Sequence, residues 1–87
     1  MTELTLLTRP GCHLCDAMKA IVAQVQAQFP LVLHEIDISA KPELVLQHGS
    51  DIPVLLDGDL VLARHRISAA QLSLALSERS TAQTKNG

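Results

Sequence analysis

Apolar and polar positions along the 87-residue chain fall into short blocks of two different periods. Glu3 to Thr8 (ELTLLT) combines leucines with β-favouring threonines and is stopped by Arg9-Pro10-Gly11, which predicts a first strand followed by a turn. From Leu14 the period lengthens. Leu14, Met18, Ile21, Val22, Val25 and Phe29 fall on one helical stripe, with Asp16, Lys19, Gln24 and Gln28 off it, so an amphipathic helix ended by Pro30 is expected. Leu31 to Asp37 (LVLHEID) predicts a second strand, apolar enough at its start to be covered on both faces, as a strand parallel to the first would be. Strand, helix and strand together read as a βαβ unit.

The second half changes register. Lys41-Pro42 resembles a helix entry with Pro in the first turn and Gly49 an exit, giving a short helix near 42–48. Val54 to Leu56, then Asp57-Gly58, then Asp59 to Ala63 predict a β-hairpin with a type I′ turn, whose strands are antiparallel. Ser68-Ala69-Ala70-Gln71 has the form of a capping box, and Leu72, Ala75 and Leu76 supply the buried stripe of a last helix running to about Glu78. The expected fold is an α/β (α+β) mixed four-stranded sheet in the order β-α-β-α-β-β-α, with helices on both faces. It occupies residues 1–79, and the polar stretch 80–87 is expected to be a flexible tail.

Composition narrows what such a domain does. Apolar residues make up 47% of the chain and charged residues 18%, which places it among globular sequences. Fifteen leucines against a single Phe, with no Trp or Tyr, leave an aliphatic core and no base-stacking platform. A net charge of −2 also argues against a nucleic-acid partner. No run approaches the roughly 18–20 apolar residues of a membrane span. Two cysteines are too few for a secreted disulfide scaffold, and the N-terminus lacks the layout of a signal peptide, so a cytoplasmic setting is expected.

The chemistry sits at Cys12-His13-Leu14-Cys15, between the first strand and the first helix. Cysteines at i and i+3 in a first helical turn share one side of the helix, within the roughly 4.4–6.8 Å Cα separation of a disulfide. Unsatisfied N–H groups and the positive end of the helix dipole stabilise a thiolate there, and the thiolate is the reactive species. An ordinary thiol is only about 3% ionised at pH 7, so this help matters. Cys12 is then the nucleophile and Cys15, one turn further in, the resolving thiol. A structural staple is the competing reading, but a four-residue loop stabilises by only about 2 kcal/mol, against about 4–5 for a loop of 60 or more residues. A zinc site is another; it needs four ligands, and His34, His48 and His65 are scattered with no second cysteine pair.

The cysteine pair after a short strand, the Ile52-Pro53 dipeptide ahead of a hairpin and the order of elements resemble the glutaredoxin-like members of the thioredoxin-fold superfamily, over roughly residues 3–78. The resemblance implies a cis peptide at Pro53 facing the cysteines, with the backbone of Ile52 open to pair with a disulfide substrate. It implies that Arg9 contacts a glutathione carboxylate and supports the thiolate. His13, between the cysteines, is a candidate to tune the pair through its positive form, and Leu14 reads as core or as apolar rim together with Pro10 and Ile52, core being preferred. The chain departs from the family where glutaredoxins carry Gly-Gly and Asp for the glutamyl end of glutathione. Ala63-Arg64-His65-Arg66-Ile67-Ser68 stands there instead, with Ser68, Arg64 and Arg66 as a substitute anion site. The thioredoxin-type Trp before the first cysteine and Pro between the two are absent as well.

These readings predict a small thiol-disulfide oxidoreductase acting on protein disulfides or glutathione mixed disulfides. It is expected to be a monomer with no bound cofactor or metal, no nucleic-acid or membrane partner, and glutathione as candidate co-substrate. A thioredoxin-fold binding module with weak redox activity and a metal or iron–sulfur carrier are the alternatives.

Overall fold

In the computed structural model, residues 2–86 are described, with side chains over residues 2–78. The first strand, β1 (Thr2–Thr8), is apolar on both faces, with Leu4 and Leu6 to one side and Leu7 to the other, all buried. That double-sided burial suits a central strand. Helix α1 (His13–Gln26) returns the chain to β2 (Leu31–Asp37), which runs parallel to β1 in a register from Thr2↔Leu31 to Thr8↔Asp37. A 3-10 turn (Ile38–Ala40) and α2 (Pro42–His48) carry it to the opposite edge of β1. There β3 (Val54–Asp57) pairs antiparallel through Leu7↔Val54, and β4 (Leu60–Arg64) pairs antiparallel with β3. Helix α3 (Ala69–Asn86) ends the order, and the sheet reads β2-β1-β3-β4.

Two apolar clusters hold the layers together. On one face Leu4, Leu6 and Leu55 pack under Met18, Val22 and Val25 of α1 and Leu72 and Leu76 of α3. On the other, Leu7 and Val54 join Ile38, Ile52 and the buried Cys15, with Leu44 of α2 packed against them. Burying a Leu, Ile or Val side chain stabilises by about 1.5–3 kcal/mol, which makes these clusters the main support of the fold. The expected mixed sheet with helices on both faces is the observed one.

Local differences have local causes. The stripe of α1 stops early: the helix ends at Gln26, the N–H groups of Gln28 and Phe29 both donate to the Val25 carbonyl at 2.9 Å, and Phe29 packs on the first cluster from the turn. Strand β2 is an edge strand rather than one covered on both faces. Leu31 is buried, but Val32, on the other face, is 38% exposed, so that face is not fully covered. The hairpin turn is Gly58-Asp59, one residue later than expected. Gly58 alone takes positive φ (62°), the type II′ pattern, which needs Gly at its first central position and not the I′ pattern. Helix α3 continues to Asn86, past the stop expected near Glu78, since no Gly or Pro stands between Ser68 and Gly87 to break it. The mobility expected of 80–87 falls on side chains outside the described residues.

Candidate active site

The turn after β1 sets the position of the first cysteine. Gly11 takes φ 76°, a conformation glycine adopts without steric cost, and it turns the chain so that Cys12 becomes the N-cap of α1. An N-cap side chain accepts a hydrogen bond from a backbone N–H that the helix leaves unpaired. Here sulfur fills that role: Cys12 Sγ accepts the Cys15 N–H at 3.0 Å. Cys12 is half-buried, whereas Cys15 is 1% exposed in the second apolar cluster. The two are joined by a disulfide with their Cα atoms 5.2 Å apart.

The same cluster brings in the distant loop. Ile52 packs with Cys15 and Leu7, and Cys12 packs against this group, so the pair and the Ile52-Pro53 segment share one apolar neighbourhood. The Ile52–Pro53 peptide is cis and Pro53 is buried. The N–H and C=O of Ile52 have no backbone partner among the described residues. The rim differs from expectation. Leu14 is 37% exposed and not core, because the buried positions of α1 begin at Cys15 and continue through Met18, Val22 and Val25; Ile52 buries its side chain at 9% exposure, leaving Pro10 and Leu14 on the surface.

Arg9 is exposed on the turn and lines a recess of about 190 Å³ between the end of β1, the first turns of α1 and the end of β2. Asp16, Lys19 and Asp37 line it too. Lys19 bridges Asp16 at 3.6 Å and Glu35 at 3.3 Å. The Ser39 hydroxyl and the Ser39 N–H both donate to Asp37, and they hold its carboxyl below the ordinary value. His13, the first residue of α1, is exposed.

Ser68 caps α3. Its N–H donates to Gln71 Oε1 and its Oγ accepts the Gln71 N–H, both at 3.1 Å, the reciprocal pair of a capping box. The backbone N–H of Ser68 is thereby taken, which leaves the hydroxyl proton as its donor to an anion. Arg64 meets Asp51 at 3.8 Å rather than standing open beside Ser68. Sequence reasoning missed this Arg64–Asp51 pair and the bond from the His65 N–H to the Pro53 carbonyl at 2.8 Å. Both cross between segments distant in the chain, and no local motif announces them. Among the described residues, no group of three or more His, Cys, Asp and Glu side chains is arranged to hold a metal ion, and no helix is long and apolar enough to cross a membrane.

A thioredoxin fold with a disulfide-forming pair at the N-terminus of its first helix defines the class, and the pair suggests a redox function. Residues 3–77 match the model of the Glutaredoxin-like domain (DUF836), and the chain belongs to that family. A Dictyostelium discoideum relative, "Glutaredoxin-like protein YDR286C homolog", is 30% identical over 76 residues, 80% of this chain and 70% of that protein. The solved structure of protein XcR50 from X. campestris is 29% identical, covers 86% of this chain and 96% of its own, and superposes with a TM-score of 0.74. Thioredoxin 1 from Thermosipho africanus, 16% identical, covers 94% of this chain and 98% of its own at a TM-score of 0.66, a likeness of fold.

Proposed function

We propose that the protein is a small dithiol-disulfide oxidoreductase that reduces protein disulfides or glutathione mixed disulfides. The Cys12 thiolate attacks one sulfur of the substrate disulfide. A bond forms between Cys12 Sγ and that sulfur, the substrate S–S bond breaks, and the first substrate thiolate leaves and takes a proton from solvent. The deprotonated Cys15 then attacks Cys12 Sγ, the mixed disulfide breaks, and the second substrate thiol is released. The dithiol has passed two electrons to the substrate and ends as the Cys12–Cys15 disulfide; a thiol donor, with glutathione the candidate and a reductase the other source, returns them.

The observation that carries this reading is the position of Cys12 Sγ at the N-cap of α1, accepting the Cys15 N–H, while Cys15 itself is buried. A thiolate at that place gains a hydrogen bond and the favourable end of the helix dipole. The accessible sulfur attacks and the sheltered one resolves. The unpaired backbone groups of Ile52 support it as the docking strand for substrate, next to cis Pro53. Arg9 on its recess, His13 at the helix start and the Ser68 hydroxyl are the proposed polar contacts to substrate. The reading includes a cytoplasmic monomer with no bound cofactor or metal and no nucleic-acid or membrane partner.

Alkylation of the reduced protein by iodoacetamide at about pH 6–7, followed by mass spectrometry, tests the proposal. Cys12 should react faster than a free peptide thiol, whose ionised fraction is about 0.3% at pH 6 and about 3% at pH 7. Cys12→Ser should abolish both the fast labelling and the reduction of a peptide disulfide, while Cys15→Ser should accumulate a mixed disulfide on Cys12. Labelling of Cys12 at the rate of a peptide thiol, together with no turnover, would overturn the proposal.

A further inference from the structure

The corner between β4 and α3 contains a non-glycine residue in left-handed backbone space, His65 at φ 66°, the only one among the described residues. The Arg66 N–H donates to the Arg64 carbonyl at 2.7 Å, closing a γ-turn around it. A γ-turn of positive φ is the rarer and more strained of the two forms. Glycine would adopt it without strain. A side chain is therefore presented at this point against the backbone's preference, and such outliers point to use.

The corner is tied to the loop that would receive substrate. The His65 N–H donates to the Pro53 carbonyl at 2.8 Å, and Arg64 reaches Asp51 at 3.8 Å, so bonds from the corner fall on both sides of Ile52. Arg64, His65 and Arg66 are all exposed. Arg64 has Asp51 as its counter-ion, whereas the side chains of His65 and Arg66 have no partner among the described residues. The same hairpin carries Asp57 and Asp59 at its far end, so it is polarised along its length, basic beside Pro53 and acidic at the turn. With Arg64 balanced by Asp51, Arg66 carries the unbalanced positive charge of the corner, in a chain of net charge −2.

We infer that the γ-turn Arg64-His65-Arg66 is the substrate-selecting element of this site, and that it favours polypeptide disulfides flanked by acidic residues. The inference rests on the proposed exchange at Cys12. An extended polypeptide paired with the open backbone of Ile52 advances about 3.4 Å per residue, so positions two or three from its cysteine fall within reach of an arginine side chain at the corner. Opposite charge there holds the acidic flank and like charge repels a basic one. Exposed pairs of this kind are weak singly, which makes them a means of ranking substrates rather than of binding one tightly.

Three peptides with the same disulfide and acidic, neutral or basic flanks test it. The kcat/KM values should rank acidic over neutral over basic, by about three- to fivefold per step at low ionic strength, and the spread should shrink as salt is raised past about 0.15 M. Arg66→Glu should invert the acidic-to-basic ratio and Arg66→Gln should bring it towards one. Equal turnover of the three peptides by wild type, or an unchanged ratio in a folded Arg66→Glu protein, overturns the inference alone. Faster turnover of a glutathione mixed disulfide than of the acidic peptide assigns the corner to glutathione carboxylates and overturns the polypeptide assignment. No turnover of any peptide, with Cys12 no more reactive than a peptide thiol, removes the proposed function and the inference with it.

Discussion

Sulfur at an N-cap is an unusual choice, since Ser, Thr, Asp and Asn fill that position best, and its use at Cys12 puts the reactive atom where the helix leaves N–H groups unpaired. Three residues on, Cys15 donates its N–H to that sulfur while its own side chain joins the core. The two cysteines are one helical turn apart and differ in accessibility, which divides attack from resolution. Asp37 does comparable work at the end of β2, where the hydroxyl and the N–H of Ser39 donate to one carboxylate oxygen at 2.6 and 2.9 Å and fix the turn that walls the Arg9 recess. Those two bonds, the hydroxyl first, lower the carboxyl below its ordinary 3.8. A carboxyl with a depressed folded value contributes stability that is present above the unfolded value and is lost as pH falls through the folded one. Asp37→Asn keeps an acceptor oxygen without the charge. Urea denaturation across the acid range should therefore show a constant gap between wild type and Asp37→Asn above about pH 5, narrowing as pH drops through 3.8 and below. A gap that does not change with pH would show that the charge plays no part. The group is fully exposed, so the gap should also shrink with added salt.

Helix α3 begins where Ser68 and Gln71 exchange hydrogen bonds, and that exchange sets the direction in which Leu72 and Leu76 enter the core. Ser68→Ala should destabilise by about 0.5–2 kcal/mol. Because the two bonds are reciprocal, Ser68→Ala and Gln71→Ala together should cost less than the sum of the singles, a non-additivity that a double-mutant cycle by chemical denaturation would measure. This start was legible in advance because a capping box is local chemistry, and the same holds for α2 at Pro42 and for the span of β2. What needed the assembled molecule was whatever a neighbour decides. LVLHEID looks buried on both sides until the folded chain leaves the face of Val32 uncovered. Leu14 looks like the first core residue of its stripe until the helix rotation gives that place to Cys15. The hairpin was legible, but Asp57-Gly58 and Gly58-Asp59 are both acceptable turns by composition, and only the pairing of Asp57 with Leu60 chooses between them. At the site, the spacing of Cys12 and Cys15 and the Ile52-Pro53 dipeptide carry their own signals. Positive φ at His65 carries none, since the bonds that impose it come from Arg66 and Pro53.

Taken together, the clusters on the two faces and the short disulfide bear on different questions, stability and chemistry. Truncating Leu6, fully buried between α1, α3 and the sheet, should cost about 2–5 kcal/mol, a large share of the roughly 5–13 kcal/mol expected for a domain of this length. The disulfide closes a loop of only four residues, worth about 2 kcal/mol by restricting the unfolded chain. In the folded reduced protein an opposing term appears, because the Cys12 thiolate gains the helix N-terminus, an effect of about 0.3–2 kcal/mol. The second offsets part or all of the first. Oxidised and reduced protein should therefore differ in unfolding free energy by less than about 2 kcal/mol, while Leu6→Ala lowers both forms alike. Since 1.4 kcal/mol corresponds to about 30 mV for a two-electron couple, such a difference confines the folded pair to within about 45 mV of the same pair in the unfolded chain. Denaturation with and without reductant measures the stability difference, and a redox titration of folded and denatured protein measures the potential. The thermodynamic cycle requires the two to agree. A stability difference comparable to that of Leu6→Ala would make the bond a structural staple, and a small one leaves Cys12 and Cys15 able to open and close many times in a fold that does not depend on them.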